Sequence, residues 1–237
     1  MAKKINTKLT KLIKYYSLIN HNLIFNNQAI NRYKNNNLDS NSPRTIKLNN
    51  LKASIGKIRN CELKNSATNI VFSGGNPEAK IMIIGEGPGA NEDQQTAPFM
   101  GRAGELLDKM LDSIKLNRNN VYITNVVNYR PPENRAPTNE EINRYFPYLI
   151  KHIEIISPKI LILLGSTALN AIIGNELVIS EARGKWIEKK VGSCSTSIIA
   201  SFHPAFLMRQ PGQKKMAWID LKMIKQKISD LNIKIGI

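Results

Sequence analysis

Four short apolar runs stand out between residues 79 and 202, each bounded by polar residues or glycine. They cover residues 79–85, 121–127, 159–164 and 197–202. Apolar runs of this length are typical of buried strands rather than of helices, which need longer segments. The pattern therefore predicts four strands in this part of the chain.

The segments between these runs repeat apolar residues every three or four positions, as amphipathic helices do. One such helix is predicted over residues 104–116, and a short one over residues 166–173. Another begins at Thr138, because Thr138 and Glu141 have the spacing of a capping box. Strands that alternate with helices favour a parallel sheet covered on both faces. The predicted fold is α/β, three layers in the order α/β/α, with a central four-stranded parallel sheet.

The first fifty residues have a different character from the rest of the chain. Residues 8–34 carry apolar side chains at helical spacing, which predicts one or two helices. Residues 34–50 are rich in Asn and Ser and contain Pro43, which is typical of a linker. A short helix over residues 51–63 is expected to lead into the core. We therefore divide the chain into an N-terminal helical extension with its linker, residues 1–50, and an α/β domain, residues 51–237.

The chain is strongly basic, with a net charge of +16 and a pI near 9.9. Such a charge favours a polyanionic partner, nucleic acid before a membrane, although Lys is abundant throughout and part of the charge is background composition. Two distant cysteines, no signal-peptide pattern and no apolar run as long as a membrane span lead us to expect a cytoplasmic protein without disulfides.

A glycine-rich loop follows the first predicted strand, with Gly85, Gly87 and Gly89 alternating with Glu86 and Pro88. Glycine lets a ligand approach the main chain closely and leaves N–H groups free to bind it, although a tight turn alone would also use glycine. The loop is neither GxGxxG nor GxxxxGK[ST], which argues against a nucleotide-binding enzyme.

The carboxyl ends of parallel strands meet at one edge of a sheet, where α/β proteins bind their ligands. The glycine-rich loop, Asn125 and His203 each follow a predicted strand. We therefore expect one site to gather all three.

Five segments carry a family resemblance: GEGPGANED, APFMGRAGELLDKML, VYITNVVNYRPPENRAP, SPKILILLGSTAL and SFHPAFLMR. Their order and spacing resemble the family 4 uracil-DNA glycosylases over about residues 51–221. The resemblance implies a DNA repair hydrolase that excises uracil and leaves an abasic site. No Lys stands in the matched motifs as a Schiff-base nucleophile, so we expect a monofunctional enzyme, with residues 51–237 as its catalytic domain.

The resemblance also implies roles for individual residues. The substrate pocket would consist of Gly85, Gly87, Phe99 and Asn125, and the catalytic residues would be Glu86 and His203. Phe99 would stack on the extruded base, and the amide of Asn125 would pair with uracil O4 and N3–H. His203 would donate a hydrogen bond to uracil O2 as negative charge develops there. Glu86 would either position the attacking water or stabilise the cationic sugar.

The segment after His203 is the expected contact with DNA. An apolar side chain there would fill the space left by the extruded base, with Leu207 as the first choice and Phe206 as the second. Arg209, Lys214 and Lys215 would contact phosphates. The expected partner is uracil-containing DNA, single- or double-stranded, bound by a monomer without membrane contact.

The chain departs from the family at the cysteines. Family members usually hold a [4Fe–4S] cluster on four cysteines, whereas here Cys61 is joined by Ile58, Tyr129 and Tyr145 at the matching positions. We therefore expect no cofactor and no metal, with these side chains packed together instead. Thr96 also replaces a usual glycine. These departures leave an alternative, a relative that recognises damaged DNA with weak or no glycosylase activity.

Overall fold

The structure, a computed structural model, describes residues 42–174 and 177–235 and contains one six-stranded sheet there. The helices predicted for residues 8–34 lie outside the described residues. The strands are β1 (Gly74–Gly75), β2 (Ile81–Gly85), β3 (Tyr122–Asn125), β4 (Ile160–Leu164), β5 (Trp186–Val191) and β6 (Cys194–Ser201), in the spatial order β1-β3-β2-β4-β6-β5.

The helices in the described ranges are α1 (Pro43–Gly56), α2 (Glu62–Ser66), α3 (Ala90–Gln95), α4 (Arg102–Ser113), α5 (Asn139–Ile156), α6 (Ser166–Ile172), α7 (Ile179–Ala182), α8 (Pro204–Arg209) and α9 (Lys214–Asp230). Short 3-10 turns cover Pro132–Asn134 and Pro211–Gln213. The predicted capping box opens α5: the Thr138 hydroxyl accepts from the Glu141 N–H, and the Glu141 carboxylate accepts from the Thr138 N–H. Over these same residues, no helix is both long and apolar enough to cross a membrane.

The four predicted strands form the parallel centre of the sheet, β3-β2-β4-β6, and all three contacts between them are parallel. Their side chains alternate between two cores, since successive residues of a strand face opposite sides of a sheet. Met82 and Ile84 pack with α1, α5 and α6, whereas Ile81 and Ile83 pack with α4, α8 and α9. The three-layer prediction is confirmed.

Two antiparallel edge strands complete the sheet and were not predicted. β1 pairs with β3 through two glycines, and β5 pairs with β6 along six residues. The sequence WIEKKV of β5 is half-exposed or exposed over most of its length, so it lacks the continuous apolar pattern of the central strands.

The linker predicted over residues 34–50 is wrong from residue 43 onward, because α1 begins at Pro43. The Ser42 hydroxyl caps this helix by accepting from the Thr45 N–H, and Leu48 and Leu51 are buried in the core. Pro43 occupies the first helical turn, where proline is favoured because its missing N–H would have no partner there. In the sequence alone, the same proline indicated a loop.

Candidate active site

Gly85 lies where β2 and β3 bring three predicted site residues together. Gly85 pairs with Asn125 in the parallel register. A Cβ atom added to Gly85 would lie 2.5 Å from Asn125 Oδ1 and 2.6 Å from Cζ of Phe99. Position 85 has no room for a side chain. Because glycine has none, the Asn125 amide and the Phe99 ring can lie close together there.

The Asn125 side chain is buried, with only 3% of its residue surface exposed. Among the residues that the structure describes, none forms a hydrogen bond with its amide group. Amides in protein interiors are normally paired, because an unpaired polar group there costs free energy. The Asn125 amide is therefore available to a ligand that offers one acceptor and one donor.

Phe99 has a left-handed backbone conformation, with φ of +56°, which residues other than glycine rarely adopt. The Arg118 guanidinium donates hydrogen bonds to the carbonyl oxygens of Phe99 and Pro98, and it forms an ion pair with Asp108. Gly104 permits the approach of the Phe99 carbonyl, because a Cβ there would lie 1.8 Å from that oxygen. Strain of this kind persists only where surrounding contacts fix it, and it is concentrated at functional sites.

The imidazole of His203 stacks near the ring of Phe99, with 5.5 Å between centroids and 29° between planes. Burial lowers the pKa of His203, an effect that the nearby Glu86 carboxylate partly opposes. Nδ1 of His203 accepts a hydrogen bond of 3.2 Å from the Ala205 N–H. In a neutral imidazole the other nitrogen then carries the proton, so Nε2 is the donor.

Glu86 follows Gly85 and is fixed at both its main chain and its side chain. Its carbonyl accepts from the Val127 N–H at 3.3 Å, and its carboxylate accepts from the hydroxyl of Thr167. Gly87 comes next, and a Cβ there would lie 2.9 Å from Cγ2 of Val127. The glycine-rich loop therefore packs tightly against the residues that follow β3.

Glu92 joins the two loops of the site, a function that the sequence analysis missed. Its carboxylate accepts hydrogen bonds from the N–H groups of Gly89, Met100 and Gly101, at 3.1, 2.8 and 2.9 Å. The position of Glu92, three residues after the Gly89 N-cap, is a recognisable capping signal. Arg118, which holds Phe99, had no such signal, because its contact is nineteen residues away.

The structure corrects one of the predicted DNA contacts. Leu207 is 1% exposed and packs in the core with α4 and α9, so it is not presented to a base stack. Phe206, the second choice, is partly exposed and packs against Phe202 with 4.9 Å between ring centroids. Arg209, Lys214 and Lys215 are exposed, and the side chain of each can reach a ligand.

Three of the four positions that match the family's cluster ligands belong to the same hydrophobic core, and the fourth, Ile58, is partly buried and packs against that core. The Cys61 sulfur and the Tyr145 hydroxyl are in hydrogen-bond contact at 3.3 Å. Burial first, and the hydrogen bond to Cys61 second, raise the pKa of Tyr145; burial and the nearby Cys61 raise the pKa of Tyr129. Both phenols therefore stay protonated.

This donor set does not fit a [4Fe–4S] cluster. Cys61 is its one thiol, phenols are hard ligands, and Ile58 offers no donor atom. In the described ranges, no group of three or more His, Cys, Asp or Glu side chains could hold a metal ion. Polar contacts hold the segment between α1 and α2. Arg144 donates to the carbonyls of Arg59 and Asn60, and Lys64 donates to the carbonyl of Gly56.

Thr96 adopts a left-handed conformation, with φ of 58° and ψ of 17°, at the C-cap of α3. A β-branched residue is strained there, and glycine is the usual solution. Thr96 therefore ends α3 in a strained backbone conformation.

At one edge of the parallel sheet the structure gathers an aromatic ring, an unpaired amide, a carboxylate and a neutral imidazole, an arrangement suited to a planar heterocyclic base. A sequence model of the "Uracil DNA glycosylase superfamily" matches residues 72–222. The chain belongs to this superfamily, and within it to the type-4 uracil-DNA glycosylases.

The relatives that support this assignment carry the name type-4 uracil-DNA glycosylase. The one from Archaeoglobus fulgidus is 38% identical over 181 residues, which cover 75% of this chain and 91% of the relative. The one from Thermotoga maritima is 41% identical over 156 residues, 65% of this chain and 80% of the relative. The one from Sulfurisphaera tokodaii is 38% identical over 184 residues, which cover 76% of this chain and 84% of the relative.

Proposed function

We propose that this protein excises uracil from DNA by hydrolysing the bond between the base and its sugar, leaving an abasic site. The observation that carries the proposal is the unpaired amide of Asn125, a residue with 3% of its surface exposed, beside the stacked pair of Phe99 and His203. An amide offers the donor and the acceptor that uracil O4 and N3–H require, and the adjacent ring offers a stacking surface.

In the proposed reaction the extruded base enters the pocket and stacks on Phe99. The bond between sugar C1′ and uracil N1 breaks, its electron pair leaves on uracil, and a water molecule supplies hydroxide to C1′ and a proton to the released base. The Nε2–H of neutral His203 stabilises the charge that develops on uracil O2. The Glu86 carboxylate either orients the water or stabilises the positive sugar.

The experiment that tests this proposal is release of free uracil from labelled single-stranded, U:G and U:A oligonucleotides. Release from at least one substrate is expected, and the three rates measure the strand preference. Binding of uracil or abasic DNA without release would instead identify a damage-recognising relative without glycosylase activity.

DNA binding is proposed to depend on the basic surface after His203, with Phe206 in place of the buried Leu207 as the apolar wedge. Affinity for uracil-free DNA should fall steeply with salt, because phosphate contacts release condensed counterions. Replacing Lys214 and Lys215 by Gln should reduce the slope of log affinity against log salt by about two, near 0.9 for each contact. Titrations by fluorescence anisotropy at several salt concentrations measure this slope.

The matched control replaces Lys222 and Lys225 by Gln. Both are exposed further along the same helix, α9. This variant changes the net charge equally but should keep the slope of the unaltered protein. An affinity that does not depend on salt would show that the charge of +16 is background composition.

We also propose that the protein holds no iron–sulfur cluster and needs no metal. The support is the donor set at Cys61, Ile58, Tyr129 and Tyr145 and the packing that joins these side chains. Burial of large apolar side chains contributes about 1.5–3 kcal/mol each, which would replace the ties that a cluster supplies.

Protein purified without oxygen should be colourless, folded and active, with neither iron nor acid-labile sulfide in stoichiometric amount. Iron and sulfide assays and a visible absorption spectrum measure this. The control is Cys61→Ser, which keeps a hydrogen-bond partner for Tyr145 and should leave activity within about threefold. Stoichiometric iron with a brown chromophore, lost in Cys61→Ser, would contradict the proposal.

We further expect the protein to act as a monomer in a reducing compartment such as the cytoplasm. The support for the reducing compartment is that Cys61 and Cys194 are both free thiols. Sedimentation analysis of the purified protein tests the oligomeric state, and a monomer should have a mass of 26.6 kDa.

A further inference from the structure

The segment Leu164, Gly165, Ser166 and Thr167 belongs to a motif that carries the family resemblance but has no assigned role. In the structure it follows β4, next to β2 in the sheet, and therefore lies at the edge where the active site is built. Its residues contact both proposed catalytic side chains.

The first contact is between Gly165 and His203. Gly165 has φ of +91°, and a Cβ there would lie 3.1 Å from the Cβ of His203. The Gly165 N–H also donates to the Ser201 carbonyl at 2.9 Å, two residues before His203. The turn after β4 is thus held against the segment that presents the imidazole.

The second contact is between Thr167 and Glu86, residues 81 positions apart in the sequence. The Thr167 hydroxyl donates to Oε2 of Glu86, and no other hydrogen bond or ion pair to this carboxylate is found over residues 42–174 and 177–235. Thr167 is half-buried at the start of α6, and its β-branched side chain has a restricted set of χ1 rotamers. One carboxylate oxygen is therefore fixed, while Oε1 stays available to a water molecule or to the sugar.

We propose that Thr167 is a positioning residue for uracil excision, which holds the Glu86 carboxylate in the orientation that the transition state requires. This inference rests on the proposed role of Glu86. Thr167 itself does not touch the substrate: a carboxylate that rotates freely would serve the same reaction poorly, because catalysis depends on groups already oriented before the bond breaks.

The test compares Thr167→Val, which keeps the shape and removes the donor, with Thr167→Ser, which keeps the donor. Single-turnover excision and the dissociation constant for uracil DNA are measured separately. We expect Thr167→Val to excise about 10–100-fold more slowly, the loss that accompanies one hydrogen bond to a charged group. Binding should change by less than about threefold. Thr167→Ser should recover most of the rate, and Ser54→Ala, at an exposed position of α1 outside the site, should match the unaltered protein.

A double-mutant cycle separates positioning from a general structural effect. In a Glu86→Gln background, Thr167→Val should cost less than about threefold, because its effect passes through the carboxylate. Full activity of Thr167→Val, failure of Thr167→Ser to recover the rate, or an equal loss in both backgrounds would overturn the inference. If Glu86→Gln itself keeps full activity, the proposed role of Glu86 is wrong and the inference fails with it.

Discussion

Replacing Asn125 by Asp is expected to lower uracil excision by about 1,000-fold or more. The carboxylate of Asp repels uracil O4 and offers no donor to it, and a site built on hydrogen bonds rejects a partner that leaves its buried groups unpaired. The same carboxylate accepts from the amino group of cytosine, so weak cytosine removal is an expected accompaniment. Single-turnover assays on strands with one uracil or one cytosine measure both effects.

The control for this prediction is Asn65→Asp, which introduces the same charge at an exposed position of α2. It should excise uracil at the rate of the unaltered protein. Excision at the parental rate by Asn125→Asp would show that Asn125 does not select the base.

Replacing His203 or Glu86 by Ala is expected to slow excision by about 100–1,000-fold each while the fold is retained. Loss of one preorganised group that stabilises transition-state charge has effects of this size. In the proposed reaction His203 is a neutral donor, because burial lowers its pKa and its Nδ1 is occupied by the Ala205 N–H. The measurement is the single-turnover rate at neutral pH, with thermal unfolding as the test of folding.

An exposed carboxylate away from the site provides the comparison. Glu181→Ala removes a negative charge at α7 and should leave excision unchanged. Rates near that of the unaltered protein in both His203→Ala and Glu86→Ala would refute the assignment of these two residues.

The centre of the fold was predictable because its determinants are local. A buried parallel strand such as Ile81–Gly85 is apolar throughout, and an amphipathic helix such as Arg102–Ser113 repeats its apolar face. The edge strand Trp186–Val191 exposes part of its surface, so no comparable pattern marked it. Pro43 did not mark the start of α1 in the sequence, because proline is common both in linkers and in the first turn of a helix.

The site was predictable only in part, because its residues meet through tertiary contacts. Asn125 at a strand end and His203 before a proline carry little information by themselves. The order and spacing of the motifs that resemble the family indicated their roles. The hydrogen bond from Thr167 to Glu86 joins residues far apart in the sequence and has no local signal. Leu207 was misplaced because the packing of α8 decides which of its apolar side chains is buried.

The central claim is that the side chains of this site hydrolyse the bond between uracil and its sugar, without a metal. Product identification by mass spectrometry tests it most directly, on a strand with one uracil and with protein whose iron content is measured in the same sample. The account predicts free uracil and an unbroken strand with one abasic site, in equal amounts, from iron-free protein. An unchanged strand, a strand cleaved at the uracil position, or activity confined to iron-loaded protein would contradict it.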